Sequence, residues 1–219
     1  MVLNSMQLDM AHRFRGFYPV VVDVETAGFN SQTDALLEIA AICLNFDSHN
    51  QLVPVEECHF HVMPFEGANM ERAALEFTGI DPFNPLRQAV SEAIALKKTY
   101  QMIRAHKNAN GCNRAILVGH NPGFDLGFVK AATERTNIKR NPFHLFSTFD
   151  TATLAGLMLG QTVLAKACDA ANIDFNNAEA HSAIYDAQKT AELFCYMVNH
   201  FHELGGWPAA DNGKESDGD

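Results

Sequence analysis

The chain has 219 residues, 47% of them hydrophobic, with a formal net charge of −10. That is enough apolar material for one sizeable core, and the lack of a clear linker or internal repeat favours a single domain where length alone allows two. The acidic balance argues at first against a polyanionic ligand, because nucleic-acid binders usually carry a basic footprint. The sum misleads, however, since four of the acids are candidate metal ligands and the segment from Asp211 adds four more against Lys214 alone. Cysteines at 43, 58, 112, 168 and 195 are odd in number and irregular in spacing, which argues against a disulfide framework or a zinc site and fits a reducing cytoplasm. No apolar run approaches the roughly 18 residues of a membrane span, and no signal-peptide pattern opens the chain, so a cytoplasmic protein without a membrane partner is expected.

In chain order, the first 12 residues are expected to be a flexible segment before a domain over 13–208. Pro19 to Val24 form a Val-rich run, as a central strand buried on both faces does. Leu36 to Leu44 and Cys58 to Val62 follow as strands, the latter with Cys58, Phe60 and Val62 on one face. Ala89 to Arg104 places Ala93, Leu96, Tyr100 and Ile103 at helical spacing. Ala115 to Val118 is a short strand leading through His120-Asn121 into a helix. The last helix carries a stripe of Ile184, Ala187, Ala191, Phe194, Val198 and Phe201, and Gly205-Gly206 with Trp207-Pro208 ends it. Residues 209–219, rich in Asp, Gly and Ser, have the composition of a disordered acidic tail.

This order decides where the acids point. Side chains two apart on a strand share a face, so Asp23 and Glu25 project together where the apolar run gives way to Thr26-Ala27-Gly28. Asp125 follows the strand that ends near Val118, and open α/β sheets bind ligands outside such strand ends. Asp186 adjoins the buried stripe of the last helix. His181, five residues earlier, would be about 140° away on a regular helix, so it belongs to the approach segment, where an imidazole can exchange protons with water. Four carboxylates and one histidine are what two-metal phosphodiester hydrolysis requires: two hard ions about 4 Å apart, held by oxygen ligands, activate a water and stabilise the leaving oxygen. A lone Asp-x-Glu is usually a solvated strand end, and His120 with Asn121 can simply cap and connect. The agreement of three segments in order, spacing and context carries the metal reading. His59 and His61 share a strand face without a carboxylate partner in sequence and are read as structural.

These segments resemble the DEDDh 3′-5′ exonuclease family of the ribonuclease H-like fold. Asp23 and Glu25 match its first motif, Asp125 in His120-Asn121-Pro122-Gly123-Phe124-Asp125 its second, and His181 with Asp186 its third, the histidine selecting the h branch. Longer runs, RFRGFYPVVVDVETAGFN, CNRAILVGHNPGFD, KRNPFHLFSTFDTATLAGL and LGGWP, extend the likeness from about Arg13 to Pro208.

The resemblance implies an α/β protein with a mixed β-sheet flanked by α-helices. It also implies a homodimer that trims single-stranded 3′ ends of RNA, including tRNA and rRNA precursors, and acts on single-stranded DNA as well. Two Mg²⁺ per site are implied, with Mn²⁺ as the alternative. Asp23, Glu25, Asp125 and Asp186 would hold the metal, and His181 would serve as general base. Phe29, Phe77, Phe124 and Phe146 match positions that stack terminal bases, although residue type alone gives core packing for Phe77 and Phe146. Arg13, Arg15, Arg114 and Lys139 match a basic patch facing the partner's active site, where scattered surface charge is the plainer reading. Two positions depart from the family pattern. Ala73 stands four before Phe77 where an acid senses terminal cytosine, flanked by Glu71 and Glu76, and a basic residue of the family is shifted, Lys107 being present while position 108 is Asn108.

Two rival functions share parts of this evidence. A DNA-proofreading 3′-5′ exonuclease subunit would keep all five residues and differ in having a polymerase partner. A catalytically silent nucleic-acid-binding module would keep the fold, but intact acids with His181 speak against it.

Overall fold

The computed structural model describes residues 8–207. The tail expected from residue 209, Pro208 and the first seven residues of the expected flexible segment lie outside the described residues.

β1 (Phe17–Thr26) is the central strand, and Val20, Val21, Val22 and Val24 on it are almost wholly inaccessible. Each such burial contributes about 1.5 to 3 kcal/mol, which makes β1 the anchor of the core. β2 (Leu36–Phe46) and β3 (Leu52–His61) extend the sheet antiparallel on one side, while β4 (Arg114–Gly119) and β5 (Phe143–Asp150) run parallel to β1 on the other, in the order β3-β2-β1-β4-β5. The sheet is therefore mixed, as expected, and the chain forms a single α/β domain.

Helices flank the sheet. α3 (Glu92–Ala109) and α4 (Gly123–Arg135) pack on each other and on β1, β2 and β4, and α7 (Ala183–Glu203) packs on β1, β2 and β3. Of the expected α7 stripe, Ala187, Ala191, Phe194 and Val198 are buried, whereas Phe201 is exposed. Short helices α2 (Arg72–Thr78), α5 (Thr151–Leu159) and α6 (Leu164–Ala170) complete the layers, α5 and α6 packing with α7.

The structure moves one expected boundary. α1 (Met10–Arg13) is capped by the Asp9 carboxylate, which accepts from His12 N–H, and Met10 is fully buried in the main core. A side chain that sheds all its solvent contact against β1 ties this segment to the domain, so the packed structure begins before residue 13.

Candidate active site

β1 outlasts its neighbour. The parallel ladder with β4 ends at Val21 opposite Val118, yet β1 continues to Thr26, which leaves its later amides without a strand partner on that side. Asp125 takes one of them: Val24 N–H donates to its Oδ1 at 3.1 Å. The carboxylate reaches that position because the chain turns tightly from Gly119 into α4. A Cβ on Gly119 would lie 3.1 Å from Pro122 Cβ and 3.4 Å from Asp125 Oδ2. Asn121 holds a left-handed φ of 67°, which its short polar side chain tolerates, and its N–H donates to Asp150 Oδ1. His120 bridges Thr151 Oγ1 and the Thr162 carbonyl, the connecting role that the sequence allowed for it.

Asp23 and Glu25 project from one face of β1 toward the first turn of α7, where Asp186 lies. Oxygens of Asp23, Glu25 and Asp186 lie within 4.8 Å of one another. Burial raises the pKa of Asp23 well above the carboxylate range, and the charges of Asp125, Glu25, Asp186 and Glu38 push it further. Burial and the charges of Asp186, Glu38 and Asp125 push Glu25 up to about 8, and burial pushes Asp125 up to about 7. Burial also raises Asp186, against the His181 N–H and the nearby His181 and His120 rings. The charges acting on Asp23 are thus all carboxylates, an arrangement that like-charge repulsion makes costly unless cations fill it. A donor set made only of oxygens suits hard divalent ions.

His181 lies one residue before the Ser182 N-cap of α7, outside the helix as the spacing required. It is exposed, with a left-handed φ of 68°, and its own N–H donates to Asp186 Oδ2 at 3.0 Å. Its ring lies 4.2 Å from that of Phe77.

The phenylalanines are not core residues. Phe29 (83%), Phe77 (68%) and Phe146 (78%) are strongly exposed, which overturns the packing reading of Phe77 and Phe146, and Phe124 is exposed at 37%. The structure pairs Phe29 with Phe124 at 6.2 Å and Phe77 with His181, but Phe146 stands apart on β5 against His144.

The loop bearing Phe29 is held by a residue that the sequence reading missed. Asp34 is buried and accepts from Asn30 N–H, Thr33 Oγ1 and Asn69 Nδ2. Gly28 makes room for it, since a Cβ there would overlap the Asp34 carboxylate. Arg135, paired with Glu92 at 2.7 Å, donates to the Ser31 carbonyl and fastens the same loop to α4.

Glu38 was missed as well. It stands opposite Glu25 on β2 and accepts from His61 Nδ1 at 2.8 Å, His59 Nε2 at 3.2 Å and Ala183 N–H at 3.3 Å. His59 and His61, which have no carboxylate partner near them in sequence, have one in space: it comes from the adjacent strand, at a separation that no sequence spacing reveals.

The basic residues lie elsewhere. Arg114 is level with Phe17 at the start of β4, the exposed Arg15 sits over the Phe17 ring, and Lys139 precedes β5 beside Arg140. Six strand residues, roughly 20 Å, separate that end from Asp23. Arg13 differs from the other three, because its guanidinium is stacked over Trp207 and Phe14, and burial lowers its pKa.

Comparison with known proteins agrees with this geometry. The exonuclease family model matches residues 20–194. Ribonuclease T of Photorhabdus laumondii is 62% identical over 207 residues, covering 94% of this chain and 95% of that protein. Ribonuclease T of Vibrio cholerae is 61% identical over 213 residues, covering 97% and 95%. Among solved structures, E. coli Exonuclease I in complex with a dT13 oligonucleotide has the same fold, with a TM-score of 0.65 at 19% identity over 87% of this chain and 43% of that longer one. Relatedness of this depth, running through every segment that builds the carboxylate cluster, makes the chain a member of the ribonuclease T family and a 3′-5′ exonuclease acting on nucleic acids.

Proposed function

We propose that the enzyme trims single-stranded 3′ ends of tRNA and rRNA precursors and also digests single-stranded DNA, releasing nucleoside 5′-monophosphates from a site built by Asp23, Glu25, Asp125, His181 and Asp186. The observation that carries this reading is the approach of Asp23, Glu25 and Asp186 oxygens to within 4.8 Å of one another, with the exposed Phe77 ring against His181. Ions bound there, Mg²⁺ or alternatively Mn²⁺ and two per site, would supply an activated water and charge to stabilise the departing 3′ oxygen.

The remaining steps belong to the chain's own groups. Asp23, Glu25 and Asp186 provide anionic oxygens, and Asp125, fixed by Val24 N–H, closes the fourth side. His181 takes the proton of the attacking water, a task its near-neutral reference pKa suits. Phe77 beside His181 and the Phe29–Phe124 pair offer faces to terminal bases, and stacking of this kind contributes about 1 to 3 kcal/mol per base with little sequence preference. Phe146 offers a further face on β5. The relatives' name supports RNA as a substrate, and the Exonuclease I complex with dT13 supports single-stranded DNA. Proofreading is the poorer fit, because relatives near 60% identity carry the ribonuclease name.

A homodimer completes the proposal. An open apolar hollow of about 940 Å³ is lined by Phe14, Phe149, Phe194, Phe201, Leu204 and Trp207, with Leu157 83% exposed at its rim. Surface of this kind is costly to leave in water and suits an isologous contact. Arg15, Arg114 and Lys139, too far from their own carboxylates, would then serve the partner's substrate.

Labelled single-stranded RNA and DNA, incubated with Mg²⁺ or with chelator and with all products resolved, test the reading. Mononucleotides released stepwise from the 3′ end, only with metal and not by Asp186→Asn, are expected. Internal cleavage, or equal activity with chelator, would overturn it.

A further inference from the structure

Beside the carboxylate cluster lies a second group with different chemistry. Glu38 on β2 and His59 and His61 on β3 share one face of the sheet, because residues two apart on a strand point the same way and β2 and β3 are in register, Glu38 opposite His61 and Ala40 opposite His59. His59 Nε2 and His61 Nδ1 both face the Glu38 carboxylate, and one ligand atom from each of the three residues fits within 4.8 Å of the other two. The Glu38 side chain is only 8% exposed, but those of His59 and His61 are 23% and 36% exposed, so the group opens to solvent on the imidazole side.

We propose that Glu38, His59 and His61 form a binding site for a divalent transition ion such as Zn²⁺, separate from the hydrolytic site and selecting a different class of metal. A carboxylate only accepts, so each facing imidazole nitrogen carries a proton in the free protein. One ion can replace both: the protons move to the opposite ring nitrogens, and the freed lone pairs and a Glu38 oxygen become ligands. Two imidazoles and one carboxylate on a rigid sheet, with open positions toward water, suit Zn²⁺, Co²⁺ or Ni²⁺. Mg²⁺, which demands six oxygens and dehydrates reluctantly, is disfavoured there and left to Asp23, Glu25 and Asp186.

The surroundings set its strength and its consequence. Arg87 lies within the electrostatic reach of Glu38, and its guanidinium donates to the carbonyls of Leu37 and Pro82. That charge weakens attraction for any ion, so the imidazoles supply the affinity. Glu38 Oε2 also accepts from Ala183 N–H at the start of α7. An ion bound through Oε1 leaves that contact in place and stiffens the joint between β2, β3 and the helix that carries Asp186.

Co²⁺ titration followed by visible absorption tests the site, comparing the unsubstituted protein, Asp23→Asn/Asp186→Asn and His59→Gln/His61→Gln. An absorbing Co²⁺ species that persists in the first variant and is lost in the second, displaced by equimolar Zn²⁺ and not by millimolar Mg²⁺, is expected. Loss of all Co²⁺ binding in Asp23→Asn/Asp186→Asn, or an unchanged titration in His59→Gln/His61→Gln, would overturn it. Should the histidine variant fail to fold, crystals of the unsubstituted protein soaked in Zn²⁺ decide the matter. An anomalous peak between Glu38, His59 and His61 supports the site, and a peak only among Asp23, Glu25 and Asp186 refutes it.

Discussion

The main-chain N–H of His181 donates to Asp186 Oδ2 at 3.0 Å, so the candidate base and a candidate metal ligand share one hydrogen bond. The bond fixes a backbone that at φ 68° is unfavourable for a residue with a Cβ. His181→Ala should lower turnover by roughly 10² to 10⁴ while metal binding persists. His181→Gly should be equally slow although it relieves the left-handed strain. If the glycine variant turns over like the unsubstituted enzyme, His181 acts through its backbone and not as a base.

The phenylalanine faces predict a preference for unpaired ends. Phe29→Ala with Phe124→Ala should weaken single-strand binding by about 1 to 3 kcal/mol per lost stack and leave Mg²⁺ affinity unchanged. Equal digestion of blunt duplex and single strand by the unsubstituted enzyme would remove the stacking model.

Gly28 and Asp34 extend that prediction to a residue that touches no base. Gly28→Ala forces a Cβ into the Asp34 carboxylate, and such overpacking typically costs about 1 to 3 kcal/mol. Displacement of the Phe29 loop should raise KM with little change in kcat. A fall in kcat alone would place the loop's role elsewhere.

The clustered acids give a pH dependence of definite sign. Glu25, pushed up to about 8, and Asp125, pushed up to about 7, keep protons in the folded protein that the unfolded chain releases near pH 4. The folded state therefore binds more protons through this window, and metal-free stability falls as pH rises from about 4 to 8. Mg²⁺ needs the ionised acids, so its stabilising shift in Tm should be larger at pH 8 than at pH 5.5. Thermal melts with and without Mg²⁺ at the two values check this, and a pH-independent shift would contradict it.

Complementation tests the dimer. Arg15→Gln/Arg114→Gln/Lys139→Gln subunits with intact acids, exchanged with Asp186→Asn subunits, should recover activity in mixed dimers, and the triple variant alone should show a shallower salt dependence of binding. Arg13 is best left in place, because its stacking on Trp207 makes it part of the fold. Verified mixed dimers no more active than their parents would confine each site to one subunit.

The central strand and its acids were readable because β1 is buried on both faces and leaves an uninterrupted apolar signal that ends in charge. β3 was readable only from Cys58 onward. Its first half, with Pro54 and the exposed Glu56 and Glu57, lies at the sheet edge, where one flank is water and no hydrophobic pattern is required. β5 escaped for the same reason at the other edge, its ladder with β4 also being irregular between Ala115 and Leu117. In α3, Ala95 and Thr99 are buried in place of Ala93, because the helix starts after Ser91 and its face is set by α4 and the sheet. Glu38, Asp34 and the His59–His61 pair were invisible as a site, since their meaning depends on strand register and loop closure.

The bond from Val24 to Asp125 spans 101 residues, and that from Ala183 to Glu38 spans 145. The first needs only the chain as far as α4, but the second cannot form before α7, which comes last among the described elements. All five strands are made by Asp150, so at about 5 to 20 residues per second the carboxylate cluster stays incomplete for a few seconds before Asp186 arrives. A copy whose synthesis has not passed α6 therefore lacks both His181 and Asp186: the order of the elements along the polypeptide makes the candidate site the last part of the fold to be assembled.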